Sequence, residues 1–245
     1  MRDHLTAAFA VIGNEILSGK VTDINTPFLA RELRSLGVSL ERVVVVPDDV
    51  EKIATDVFDL SERYDVVFTS GGVGPTHDDI TMDGVAAAFG LRLVEHIELR
   101  RAIENFVGSR VNAAHLKMAQ IPDGAELIVD DKLAFPTVLV RNVYILPGIP
   151  ELFQAKILSL RDRFVVRPYF LRQVLVRDNE TRIAEFLNAT LTAFPDLLLG
   201  SYPKLSDPNY RVRLTLESKD ESYLERALAD LVERLPAGCV FRVES

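Results

Sequence analysis

The sequence predicts an α/β protein in two parts: a mostly parallel sheet covered on both faces by helices, then a smaller α+β domain. Two observations carry this prediction. Over residues 1–166, short apolar runs alternate with amphipathic segments of helical period, as in a parallel sheet buried on both faces. After Arg167-Pro168 the pattern becomes β-α-β-β-α-β, which assigns residues 167–245 to a split βαβ unit of ferredoxin-like or KH-like type. With 245 residues, 48% hydrophobic and 26% charged, the chain can bury a core of ordinary size in each part.

The elements follow in order. "AAFAVIG" is an apolar strand ending at Gly13. "PFLARELRSLG" is a helix with Asn25 or Thr26 as its cap, Pro27 in the first turn, Leu29, Leu33 and Leu36 on one face, and Gly37 as its stop. "RVVVVPDD" is a second strand, and "VEKIATDVFDLSERY" a helix with Ile53, Val57 and Phe58 at helical spacing. "DVVFT" is a third strand, "MDGVAAAFG" a short helix, and Leu91 to Gln120 reads as mostly helix. "ELIVDD", "TVLVRN" and "VYILPG" are further strands, and a helix from Pro150 to about Arg163 closes the first domain. In the second, "YFLRQVLVRD", "LLLGSYP", "YRVRLTLES" and "GCVFRV" are strands, with "ETRIAEFLNATLTAF" and "ESYLERALADLVERL" as helices.

Composition narrows the function classes. The formal charge is −8, with 36 acidic against 28 basic residues, which repels nucleic acid and anionic membranes and argues against both as partners. No apolar run approaches the roughly 20 residues that a membrane-spanning helix needs. "MRDHLTAAFAVIG" lacks a signal peptide's long apolar run and cleavage site, so a cytoplasmic location is expected. The one cysteine, Cys239, excludes an internal disulfide and a multi-cysteine zinc site.

In a parallel α/β sheet, ligands bind outside the carboxyl ends of the strands. The loops at that edge carry acid. Strand one ends in "GNEILSG" with Glu15, strand two in "PDD" with Asp48 and Asp49, and strand three in "SGGVGPTHDDIT" with Asp78 and Asp79. In the third loop, Gly71, Gly72 and Gly74 let backbone amides approach an anion, Pro75 stiffens the turn, and Thr69, Ser70 and Thr76 add hydroxyls. The helix after Thr81 adds its positive end. Such a loop suits a phosphate, and carboxylates beside a phosphate imply a bridging divalent cation such as Mg²⁺. Asp78, Asp79 and Glu15 are its expected ligands, and Asp49 a fourth candidate acid. Asp48, Asp49 and Thr81 equally suit helix caps. "GNEILSGKV" has the wrong spacing for a Walker A loop, and "GGVGPT" lacks the third glycine of a dinucleotide fingerprint.

Taken together, "GNEILSGKVTDINTPFLARELRSLGV", "VPDD", "TSGGVGPTHDDIT", "LPGIPELF" and "GSYPK…YRVRLTLES" resemble the molybdopterin-binding fold of molybdenum-cofactor biosynthesis proteins. Within it they are most similar to the N-terminal part of competence/damage-inducible protein A and to the molybdopterin-binding-like domain of FAD synthase. The resemblance implies a three-layer α/β/α sandwich and a site using the glycine loop, the acidic positions and the turn at Pro147 and Gly148. Relatives carry "GDE" where this chain has Asn14. The leading expectation is metal-dependent hydrolysis of a nucleotide pyrophosphate of the ADP-ribose or FAD type. The rivals are a non-catalytic pterin or nucleotide carrier, with molybdopterin as the ligand, and adenylyl transfer to molybdopterin. A homo-oligomer is expected, and a third alternative is that the second domain mainly mediates oligomer contacts or covers the cleft.

Overall fold

The computed structural model describes residues 4–204 and 207–244. The chain divides into two units, Met1–Val166 and Arg167–Ser245.

In the first unit, β1 (Thr6–Ile12), α1 (Asn14–Leu17) and α2 (Asn25–Ser35) are followed by β2 (Ser39–Val46), α3 (Val50–Arg63), β3 (Val66–Ser70) and α4 (Thr81–Ala88). Then come β4 (Leu93–Glu95), α5 (Ile97–Val107), α6 (Ala113–Lys117), β5 (Gln120–Pro122), β6 (Glu126–Ile128), β7 (Thr137–Val140), β8 (Val143–Leu146) and α7 (Pro150–Leu160). The main sheet has the order β2-β1-β3-β8-β7-β6. Its strands β2, β1, β3 and β8 are parallel, while β7 pairs antiparallel with both β8 and β6. The sheet is thus mostly parallel, as expected, with a hairpin at one side. The stretch after Leu91, expected to be mostly helix, also contains β4 and β5, which pair with each other as a small separate ribbon.

The two-residue period of β1 shows how the layers form. Ala7, Phe9 and Val11 pack with Leu29, Leu33, Phe153 and Ile157 of α2 and α7. Ala8, Ala10 and Ile12 pack with Ile53, Val57, Val85 and Ile103 of α3, α4 and α5. Both faces are therefore dry, which is why the strand reads as an unbroken apolar run. Among the described residues, no helix is long and apolar enough to cross a membrane.

The second unit contains β9 (Phe170–Val176), α8 (Glu180–Ala193), β10 (Leu198–Pro203), β11 (Val212–Ser218), α9 (Glu221–Arg234) and β12 (Val240–Glu244). Its sheet has the order β10-β11-β9-β12, antiparallel throughout. One face is covered: Val212, Leu214 and Leu216 alternate inward against Ile183, Leu187, Leu224 and Leu231 of the two helices.

One close contact sets the separation of α3 and α4. A methyl group at Gly84 would lie 2.3 Å from Ile53 Cγ2. Gly84→Ala should therefore destabilise the protein by about 1–3 kcal/mol through overpacking, although alanine is the better helix former. A lower urea midpoint is the expected result; an unchanged or raised midpoint would mean that the helices separate without cost.

Candidate active site

The parallel strands β1, β2, β3 and β8 deliver their following loops to one edge, and hydrogen bonds join those loops. Asp48, after β2, accepts from the Asn14 N–H after β1 at 2.8 Å. Asn25 Nδ2 donates to Ser70 Oγ at 3.0 Å and to the Gly148 carbonyl at 2.9 Å, connecting α2 with the ends of β3 and β8. Asn25 was expected as a cap; instead the Asp23 carboxylate accepts from the Asn25 and Thr26 N–H groups, which leaves the Asn25 amide for the loops. The backbones then meet closely: a Cβ at Gly71 would stand 2.1 Å from the Ile12 carbonyl oxygen, and one at Gly148 would stand 3.2 Å from Gly71 Cα. Gly71 has φ 102°, a region that favours glycine.

A cavity of about 580 Å³ opens at this edge. Gly71, Gly72, Gly74, Pro75, Pro147 and Gly148 line one part of it together with Glu15 and Asp79. Among the described residues the amides of Gly72, Val73 and Gly74 have no protein acceptor, so three successive donors remain for an anion. The Glu15 carboxylate folds back on Gly13, where a Cβ would meet its Oε1 at 2.5 Å. The Asp79 carboxylate folds on Gly74 and accepts from the Thr76 N–H at 2.7 Å. The rest of the wall is apolar, from Met82, Leu99, Ile103, Met118, Phe135 and Ile145.

The other expected residues stand outside this lining. Asp49 caps α3, accepting from the Glu51 and Lys52 N–H groups at 3.0 and 3.1 Å. Asp78 is exposed and meets the Thr76 hydroxyl at 2.6 Å, while Asp79 Oδ2 lies 2.5 Å from the same oxygen. That hydroxyl has one proton and serves one carboxylate at a time. Its hydrogen bond holds the Asp78 carboxyl below the usual carboxylate range, helped by the Asp78 backbone N–H. Thr69, Ser70 and Thr81 are buried beneath the glycines rather than in the cavity. Thr81 donates to the Gly71 carbonyl at 2.8 Å, and so holds the turn from behind. Among the described residues no group of three or more His, Cys, Asp or Glu side chains could hold a metal ion.

Two lysines had no motif to announce them. Lys117 Nζ donates to the Thr76 and Asp79 carbonyls at 2.5 and 2.8 Å, bracing the acidic loop from α6. Lys156, on α7, lines the cavity and donates to the Phe135 and Pro136 carbonyls, both at 2.8 Å. The only trace in the sequence is that Lys156 lies between Phe153 and Ile157, on the buried side of its helix. Burial lowers its pKa to about 8.

Residues 8–161 match the family model described as a probable molybdopterin binding domain, and residues 168–244 match the FAD synthase middle domain. A protein of Archaeoglobus fulgidus is 34% identical over 224 residues, covering 91% of this chain and 95% of its own. A probable FAD synthase of Caenorhabditis elegans is 33% identical over 271 residues, covering 98% of this chain but 52% of its own, so the chain spans about half of that enzyme. Among solved structures, the protein CinA of Thermoplasma acidophilum, described as of unknown function, is 30% identical with a TM-score of 0.61, covering 67% of this chain and 100% of that one.

The buried Lys156 ammonium has a measurable consequence. Because its folded pKa is about 8 and its ordinary value 10.5, the unfolded chain binds more protons between these pH values. Stability from this group therefore rises with pH across that window. Urea melts of the protein and of Lys156→Met, taken at several pH values from 7.5 to 10.5, should show this rise in the first and not in the second. Parallel pH profiles would refute the buried charge.

Proposed function

The chain belongs to the family of probable molybdopterin-binding domains, and on that premise we propose that it hydrolyses a nucleotide pyrophosphate of the ADP-ribose or FAD type. One observation carries the reading: free amides of Gly72, Val73 and Gly74 share a cavity with the Glu15 and Asp79 carboxylates. Amides without acceptors favour an anion, whereas carboxylates repel one, and the two coexist where a cation accompanies the anion. Mg²⁺ is commonly held by one or two carboxylates together with substrate phosphate oxygens, so this pair fits an ion that arrives with its phosphate rather than a resident one. When bound, such an ion supplies charge neutralisation and a more acidic water.

The protein's own residues then divide the work. The glycine amides hold the diphosphate, and Glu15 and Asp79 hold the cation side of it. Asp79 is aimed by the Thr76 N–H, and Lys117 keeps that loop in place through its carbonyls. The apolar wall around Met82 and Phe135 suits a planar ring and keeps bulk water from that side. In the reaction, water adds to one phosphorus, the bridging P–O bond breaks, and two monophosphate products leave. Asp78 tunes the loop through Thr76, and Asp49 acts as a helix cap, not as an acid of the site.

Asp79→Asn should lower Mg²⁺-, Mn²⁺- or Co²⁺-stimulated turnover of ADP-ribose or FAD by roughly 100-fold, with an unchanged circular dichroism spectrum. Turnover at the original rate would exclude the proposal. Tight binding of either compound by the unaltered protein, with no product on long incubation, would leave a carrier in its place. Asp49→Ala should behave differently, costing about 1 kcal/mol of stability as a lost cap and keeping the turnover rate. A large fall in rate without a change in melting would make Asp49 part of the chemistry after all.

A further inference from the structure

The second unit holds a cavity of its own, of about 620 Å³, at the end of its sheet. Its position in the strand register is unusual. Pro203 faces Val212 across β10 and β11, and Val212 faces Val176 across β11 and β9. The next residues beyond these three are Lys204, Arg211 and Arg177. Two backbone hydrogen bonds keep that extra row in line: Lys204 N–H to the Arg211 carbonyl and Arg211 N–H to the Val176 carbonyl, each 2.7 Å. Three cations therefore stand side by side on adjacent strands, at a spacing of about 5 Å, and all three line the same cavity.

Like charges facing one another across strands are destabilising, and the two acids in the same lining leave the three cations in excess. None of the three forms an ion pair with a described carboxylate. All are exposed. The two acids that also line the cavity are oriented by neutral donors rather than by the three cations: Glu180 accepts from the Ser201 hydroxyl at 2.5 Å, and Asp207 accepts from the Asn209 N–H at 2.9 Å. The Arg177 guanidinium lies over the Phe241 ring, 5.0 Å from its centroid, a contact that orients the charge without neutralising it. A row that weakens the free protein is explained if a ligand supplies the missing negative charge.

We propose that this row binds a di- or triphosphate chain, with Lys204, Arg211 and Arg177 each taking phosphate oxygens. Arginine forks match phosphate oxygens in pairs. The cavity exceeds what a bare diphosphate fills, and Tyr210 stands in its wall, so a nucleoside diphosphate fits as well as an inorganic chain. The protein's net charge of −8 disfavours a long nucleic acid on the same row. This cavity shares no lining residue with that of the first unit, and the proposal does not rest on the hydrolase reading.

The chain contains no tryptophan, so Tyr210→Trp in the 245-residue chain supplies a fluorophore confined to this cavity. Inorganic pyrophosphate and ADP should each change its emission saturably, with Kd at least about tenfold weaker when Arg177→Gln and Arg211→Gln are added. Tighter binding of ADP would assign the phosphate chain to a nucleotide, and equal binding to an inorganic source. Thermal shifts without the fluorophore give a second reading, since pyrophosphate should raise the melting temperature of the original protein more than that of the Arg177→Gln/Arg211→Gln protein. Equal shifts together with equal or absent emission changes would overturn the proposal. So would a single-stranded RNA oligonucleotide that bound more tightly than pyrophosphate.

Discussion

The side-chain amide of Asn25 holds together the edge of the first unit where the candidate site lies. Its two N–H donors reach the hydroxyl at the end of β3 and the carbonyl of the turn after β8. With β1, β3 and β8 neighbours in the sheet, these bonds let the glycine turn and the Pro147-Gly148 turn approach within backbone contact. Remove the amide, and the buried Ser70 hydroxyl loses its donor while the exposed Gly148 carbonyl loses its tie to α2. The cradle of free amides depends on this arrangement, because its geometry comes from the backbone and not from side chains that could adjust.

Charge at that edge is managed mainly by hydrogen bonds to neutral groups, with one long His77–Asp78 contact of 3.9 Å beside them. Asp48 and Asp49 accept from backbone N–H groups, while Asp79 takes a backbone N–H and the Thr76 hydroxyl. Lys117 and Lys156 spend their donors on carbonyl oxygens. Carboxylates satisfied by dipoles keep their negative charge available to a cation. The edge thus keeps net negative charge beside a set of amides that favours anions. The second unit has the opposite excess, a row of three cations in a cavity with two acids and, among the described residues, no ion pair to either, on a sheet with one face packed in the ordinary way.

Much of this was legible along the chain. The parallel strands announce themselves as apolar runs because both faces of the sheet are buried, and the second sheet's alternation through Val212, Leu214 and Leu216 reports a single covered face. The glycine turn and its acids were legible because glycines, hydroxyls and adjacent carboxylates crowd into one loop between a strand and a helix. The family resemblance read from the same motifs agrees with the match over residues 8–161. The hairpin direction of β7 and the β4-β5 ribbon were not legible, since short apolar strands carry no mark of which neighbour they will pair with.

Residue types and spacing by themselves determined the two-part architecture and the edge at which a ligand would meet the sheet, because periodicity and chain direction are local properties. Only the tertiary structure decided which acids share a cavity. Glu15 and Asp79 come together there, while Asp49 serves its own helix and Asp78 its own turn. A carboxylate's nearest donor depends on how the backbone folds back on it, and no spacing rule records that. The same holds for Lys156 and for the row of Lys204, Arg211 and Arg177: single cations far apart in sequence acquire meaning only when strands bring them side by side.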